Sequence, residues 1–132
     1  MKLTTATRKE RIEPLTERQV QEALVARGES PDAQRVERIL VAIRPVDRAI
    51  AELIAAGDVI ISDASDRRAA LPSAQADAFA GVLGSVIEHT DTLLYVRGAM
   101  VSNTLALDDE DVPALIALAS GVAASIHQAA RA

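Results

Sequence analysis

The chain has 132 residues, enough for one domain that buries its own hydrophobic core. Apolar residues make up 49% of it but aromatic residues only 2%, so small and aliphatic side chains must fill that core, which favours helices over sheets. The absence of cysteine excludes disulfides and thiolate metal sites.

The net charge of −5 is unevenly distributed along the chain. The first 72 residues hold 12 of the 14 basic and 12 of the 19 acidic residues, whereas the last 60 hold two basic and seven acidic residues. A polyanion such as DNA would therefore have to meet the first 72 residues, because the remainder repels it.

Residues 1–14 are polar and basic and are predicted to form an N-terminal arm. The first helix is predicted to start at Thr16, where Gln19 occupies the reciprocal position of a capping box. Gly28 is expected to end this helix in a left-handed conformation. Ser30, which a proline follows, is expected to cap the second helix.

Pro45 is predicted to interrupt the helical pattern. Because a proline lacks the backbone N–H and restricts the residue before it, we expect a turn near residues 42–44 and a third helix over 45–56. Gly57 is expected to stop that third helix.

The next segment has the pattern of a β-hairpin. Residues 59–61 are β-branched and apolar and are predicted to form a short strand. Residues 63–68 are expected to be the tip of the hairpin and residues 69–71 a weak returning strand.

Two long helices are predicted in the second half, over residues 73–97 and 109–131. Their apolar faces are too large for one small lobe, so we expect them to pair with each other and with a second chain, most simply as a symmetric homodimer. The longest weakly polar run, residues 112–126, is too short to span a bilayer, so no membrane association is predicted.

In this order, the segments resemble the MarR family of winged helix-turn-helix regulators over roughly residues 15–131. The sequence LTERQ at 15–19 is similar to the family's entry into its DNA-binding lobe, and DASDRRAAL at 63–71 is similar to its wing. The spacing of the recognition helix is found in Val46, Ile50, Leu53 and Gly57. The sequence LDDEDVPALIALASGVAASI at 107–126 is similar to the acidic cap and last helix of the family's dimerisation region.

The resemblance implies a mainly α fold with a small β-hairpin: a winged lobe over 15–72 and a helical dimerisation region over 73–132. It implies a dimeric, DNA-binding transcription regulator that places helix 45–56 in the major groove and loop 62–68 beside the minor groove. A small-molecule effector is compatible with this function but is not identified. The residues expected to contact DNA are Arg38, Arg44, Arg48, Arg67 and Arg68, with Asp66 supporting an arginine of the wing.

A second interpretation is an all-α helical bundle that serves as a structural or assembly protein, such as a component of a phage particle or a ring, and binds no DNA. The near-neutral first half favours it, as does Asp47, which is predicted on the exposed side of helix 45–56, where a carboxylate repels phosphate. In this interpretation Arg48 pairs with Glu52, four residues further along the helix.

Enzyme activity finds no support in the sequence. The two histidines, His89 and His127, lie far apart, and no phosphate-binding glycine loop or nucleophile elbow is present. No catalytic residue, metal site or cofactor is therefore predicted. The N-terminus shows no signal peptide, and a cytoplasmic location is expected.

Overall fold

The computed structural model describes the backbone of residues 12–67 and 73–131, and the side chains of residues 12–61 and 80–129. Within these residues the chain forms helices and no strand. The four helices are α1 (Glu17–Ala26), α2 (Ala33–Arg67), α3 (Ser73–Val101) and α4 (Asp111–Arg131).

Helix α1 has the boundaries that its local sequence predicts. The Thr16 side chain accepts a hydrogen bond from the Gln19 N–H at 3.2 Å, and the Gln19 side chain accepts one from the Thr16 N–H at 2.8 Å. Gly28 follows the helix with φ of +78°, and the next residue, Glu29, donates its N–H back to the Leu24 carbonyl. The predicted capping box and left-handed stop are both confirmed.

Helix α2 begins later than predicted. Asp32 caps it, since its carboxylate accepts a 3.0 Å hydrogen bond from the N–H of Arg35. The helix starts at Ala33, so the prediction that Ser30 caps it is wrong. Aspartate and serine are about equally good N-cap residues, because the side chain of either can accept a hydrogen bond from a free N–H of the first turn. The sequence alone therefore did not distinguish Asp32 from Ser30 as the cap.

A single helix of 35 residues replaces the predicted helix, turn, third helix and wing. It runs without a break through Pro45 and Gly57, so the turn near 42–44, the separate helix 45–56 and the strand 59–61 are wrong. Residues 62–67 of the predicted wing are also helical. Residues 68–71, which include the returning strand, lie outside the described residues.

Packing of α2 from Val36 to Ile60 explains its continuity. Pro45 is exposed, so its ring costs the helix a hydrogen bond without disturbing the core. The buried positions before and after it form one stripe, and tertiary packing overrides the β propensity of the β-branched residues. This stripe consists of Val36, Ile39, Ile43, Val46, Ile50, Leu53 and Ile60.

The last two helices agree with the prediction in position and differ at their ends. Helix α3 extends to Val101 and is followed by Asn103 with φ of +66°, while Thr104 donates its N–H to the Ala99 carbonyl. Helix α4 starts at Asp111, whose N–H donates to the Asp109 carboxylate at 2.9 Å. Asparagine tolerates the left-handed conformation better than other side chains, so it can end a helix as glycine does.

One hydrophobic core joins all four helices. Helix α2 is the central element, and α1, α3 and α4 all pack against it. The fold is therefore the all-α bundle of the second interpretation, and the winged helix-turn-helix fold is wrong for the described residues. Besides the stripe of α2, the buried core contains Val20 and Leu24 of α1, Val86, Leu93, Val96 and Met100 of α3, and Val112 and Ala119 of α4.

Candidate interaction surface

The arginines predicted to contact DNA do not form one surface. Arg38, Arg44 and Arg48 are all exposed residues of α2. Arg44 lies 3.9 Å from the carboxylate of Glu37, with both side chains 63% exposed. Arg38 lines a different pocket from the one that Arg44 and Arg48 share. In this fold Arg38 lies on a different side of the long helix from Arg44 and Arg48, and the three residues do not flank a recognition helix.

The residues of the predicted wing are placed only in part. Asp66 and Arg67 belong to the last turn of α2, so they are not in a hairpin loop. Arg68 lies outside the described residues.

The predicted pairing of Arg48 with Glu52 is replaced by a contact between helices. Glu52 accepts a 2.9 Å hydrogen bond from the Ser120 hydroxyl of α4. Arg48 forms no ion pair with a carboxylate in the part of the chain that the structure describes. The contact therefore fixes α4 against α2 and leaves Arg48 facing solvent.

Asp47 is buried, contrary to the prediction that it lies on an exposed side. Its Oδ1 accepts a 2.7 Å hydrogen bond from Arg97 of α3, and its Oδ2 accepts the N–H of Leu15 at 3.3 Å. Arg97 also donates to the carbonyl of Glu13 at 2.9 Å, so the end of the predicted arm contacts α3. Arg97 interrupts the apolar sequence of residues 93–101, which is the local signal that we missed, because a charge inside an apolar run needs a buried partner. Asp47 stands beside Arg48 and carries no such signal.

Three more charged residues meet where α1 ends and α2 begins. Glu29 forms ion pairs with Arg27, at 2.8 Å, and with Arg35. Arg27 also donates to the carbonyl of Val101 at the end of α3. The hydrogen bond from Arg27 and the charges of both arginines hold the pKa of Glu29 below its ordinary value, although partial burial opposes this.

The outer side of α4 has an unusual composition. From Val112 to Ala130 the helix contains no aspartate, glutamate, lysine or arginine. We name its exposed side the uncharged face of α4; it consists of Ala114, Ala117, Leu118, Gly121, Ala124, Ser125 and Gln128. Leu118 is 58% exposed, and of the side chains described in this helix only Val112, Ala119 and Ala123 are buried.

Helix α4 is also the one helix, among the described residues, that is long and apolar enough to cross a membrane. The segment Asp111–Ala129 meets that criterion with 22% of its window buried, although helices of soluble proteins can meet it too. The predicted apolar run, residues 112–126, is shorter than this segment. Pro113, Gly121 and the serines lie within the helix and do not interrupt it. The large apolar residues Leu115, Ile116, Val122 and Ile126 are half-buried against the core, so the exposed side of this helix consists mainly of small side chains and Leu118.

Among the described residues, no three metal-ligating side chains lie close enough together to hold a metal ion. The Asp47–Arg97 ion pair is buried and stabilises contacts within the bundle. The uncharged face of α4 makes no such contact, so packing within the bundle does not explain its composition. Comparison of the chain with protein-family models, with curated proteins and with solved structures gave no match.

Proposed function

We propose that this protein is a non-catalytic helical assembly module that associates with a second copy of itself through the uncharged face of α4. One observation carries the proposal: the exposed side of α4 has no charged residue from Val112 to Ala130, although it faces away from the core of its own chain.

Hydration of such a face is unfavourable. A helix at the surface of a soluble domain normally carries charged side chains on its outer side, and a helix that is apolar all round is normally buried. The bundle covers only one side of α4. A partner surface would remove the other side from water and supply the missing burial.

The spacing of the face fits a second helix. Ala114, Ala117, Gly121, Ala124 and Gln128 follow each other at alternating steps of three and four residues, which is the spacing of a coiled-coil seam. The small side chains of the first four allow two helix axes to come close together. The face spans 15 residues, or about 21 Å of helix.

A second copy fits this face better than an unrelated charged partner. The face has no charge that requires an opposite charge across the interface, and two identical uncharged faces are complementary to each other. A two-fold axis through the seam would bring each face against its own copy. This proposal deepens the homodimer predicted from the two C-terminal helices.

The first experiment measures the molar mass of the protein in solution by light scattering over a concentration series. The wild-type protein should be a dimer, and Ala117→Glu should be a monomer with unchanged helical circular dichroism, since the residue is exposed in the single chain. Ala55→Glu, at an exposed position of α2, is the matched control and should remain dimeric. A wild-type monomer at all concentrations, or a dimer that Ala117→Glu does not weaken, would contradict the proposal.

A second experiment tests the position of the seam. The chain has no cysteine, so Gly121→Cys introduces a single thiol at the centre of the face. Because a residue at the two-fold axis meets its own copy, oxidation should produce a disulfide-linked dimer. Ala114→Cys, at one end, should cross-link only if the two helices are parallel. Insertion of a monomeric wild-type protein into phosphatidylcholine vesicles would assign the face to a membrane and reject the dimer.

A further inference from the structure

A small pocket with three arginine side chains in its lining lies at one end of the bundle. Its volume is about 100 Å³, and Arg27, Arg35 and Arg38 line it together with Asn103, which follows α3. The rest of the lining is apolar and comes from Ile39, Met100 and Leu107. Helices α2 and α3, the residue that follows α1 and the loop before α4 therefore contribute to it.

The positive charge of this pocket is only partly compensated. Glu29 forms ion pairs with Arg27 and Arg35 and contributes one negative charge. Arg38 forms no ion pair with any carboxylate that the structure describes. Three guanidinium groups against one carboxylate leave a local excess of positive charge in a chain whose net charge is −5.

Such an arrangement favours the binding of an anion. Like charges that line a small pocket repel each other, and the apolar part of the lining weakens solvent screening. The pairs with Glu29 hold Arg27 and Arg35 in place, whereas the charge of Arg38 is available to a ligand.

We propose that this pocket binds the phosphate group of a small anionic ligand. The planar forks of arginine match the geometry of phosphate oxygens, and the Asn103 amide supplies a further donor among the lining residues. The volume of about 100 Å³ leaves room for a single tetrahedral oxyanion.

The phosphate group has two possible sources, free inorganic phosphate and a phosphate monoester. Both present the same oxyanion to the arginines, and they differ in the carbon-bearing oxygen of the ester. We therefore use inorganic phosphate and glycerol 3-phosphate as the two probes, with sodium acetate and sodium chloride at matched ionic strength as references.

The experiment is a nuclear magnetic resonance titration of the full chain that follows the backbone amide signals of Arg38, Asn103 and Leu107. Saturable shifts with either phosphate probe, absent with chloride and acetate, support the proposal, and the tighter probe identifies the source. Arg38→Gln should weaken binding roughly tenfold, because it removes one charge-assisted contact.

The matched control is Arg48→Gln. Arg48 lies on the same helix, is exposed and forms no ion pair within the described residues, but it does not line this pocket. Its substitution should leave the affinity for phosphate unchanged. Shifts that never saturate, equal binding of acetate, or equal loss of affinity in the two variants would overturn the proposal.

Discussion

Asp47 and Arg97 form a buried ion pair that connects the centre of α2 to the C-terminal half of α3, with 2.7 Å between Oδ1 and Nη1. The side chains are 10% and 9% exposed, respectively. The same two side chains bind the backbone of Leu15 and Glu13, just before α1. The pair therefore positions three segments of the chain at one point.

We predict that Asp47→Ala lowers the free energy of unfolding by about 3–5 kcal/mol, because it removes the buried carboxylate that accepts hydrogen bonds from the Arg97 guanidinium and the Leu15 N–H. Urea denaturation at pH 7 measures this effect. Glu37→Ala is the control, since it removes a carboxylate that lies 3.9 Å from Arg44 at the exposed surface. It should cost less than about 1 kcal/mol, and an equal loss in both variants would show that burial of the pair is not important.

The Asp47–Arg97 pair shows which part of the fold the sequence did not predict. The boundaries of α1 were predictable because Thr16, Gln19 and Gly28 act on their own helix ends through local hydrogen bonds and a local backbone conformation. The partner of Asp47 lies 50 residues away, and no local pattern identifies it. The prediction consequently placed Asp47 in solvent.

The wrong division of α2 has a related cause. Pro45 and Gly57 are strong local signals for a turn and a helix stop, and the β-branched residues after Gly57 favour a strand. These preferences are each worth about 1–3 kcal/mol. Burial of a continuous apolar stripe against α3 and α4 outweighs them, because each fully buried aliphatic side chain contributes a similar amount. The candidate surface on α4 was predictable in position, since its lack of charge is visible in the sequence.

Replacing Gly57 by alanine is predicted to stabilise the protein by about 0.5–1 kcal/mol, since alanine is the better residue inside a helix. An added Cβ would lie 3.5 Å from Cγ1 of Val86, an ordinary van der Waals distance. Gly28→Ala should instead destabilise it by about 1–2 kcal/mol, because Gly28 has φ of +78°. Thermal and urea unfolding measure both changes. A loss of stability with Gly57→Ala would contradict the position of Gly57 inside α2, because alanine is unfavourable only where a glycine adopts the left-handed conformation that ends a helix.

Substitution of Pro45 by alanine tests the continuity of α2 in another way. Inside a helix, alanine restores a backbone N–H and removes the clash of the proline ring, so Pro45→Ala should raise the free energy of unfolding by about 2 kcal/mol. Pro31→Ala, at an exposed position before α2 begins, should change it by less than about 0.5 kcal/mol. Equal effects of the two substitutions would be expected only if Pro45 also lay at the start of a helix.

Glu29 should make the stability of the protein depend on pH. The hydrogen bond from Arg27 and the charges of Arg27 and Arg35 lower the pKa of Glu29 from the ordinary value of 4.5. Because the pKa is lower in the folded state than in the unfolded state, the ionised carboxylate stabilises the fold above pH 4.5, and this contribution is lost as the pH falls through the folded pKa. Glu29→Gln should therefore be less stable than the wild-type protein at pH 7, and the difference should shrink in urea denaturation series below pH 4.5. Glu22→Gln, which removes a pair with Arg18 at the exposed surface, should show little difference at any pH. A Glu29→Gln deficit that is the same at pH 7 and pH 3 would mean that the charge of Glu29 does not contribute.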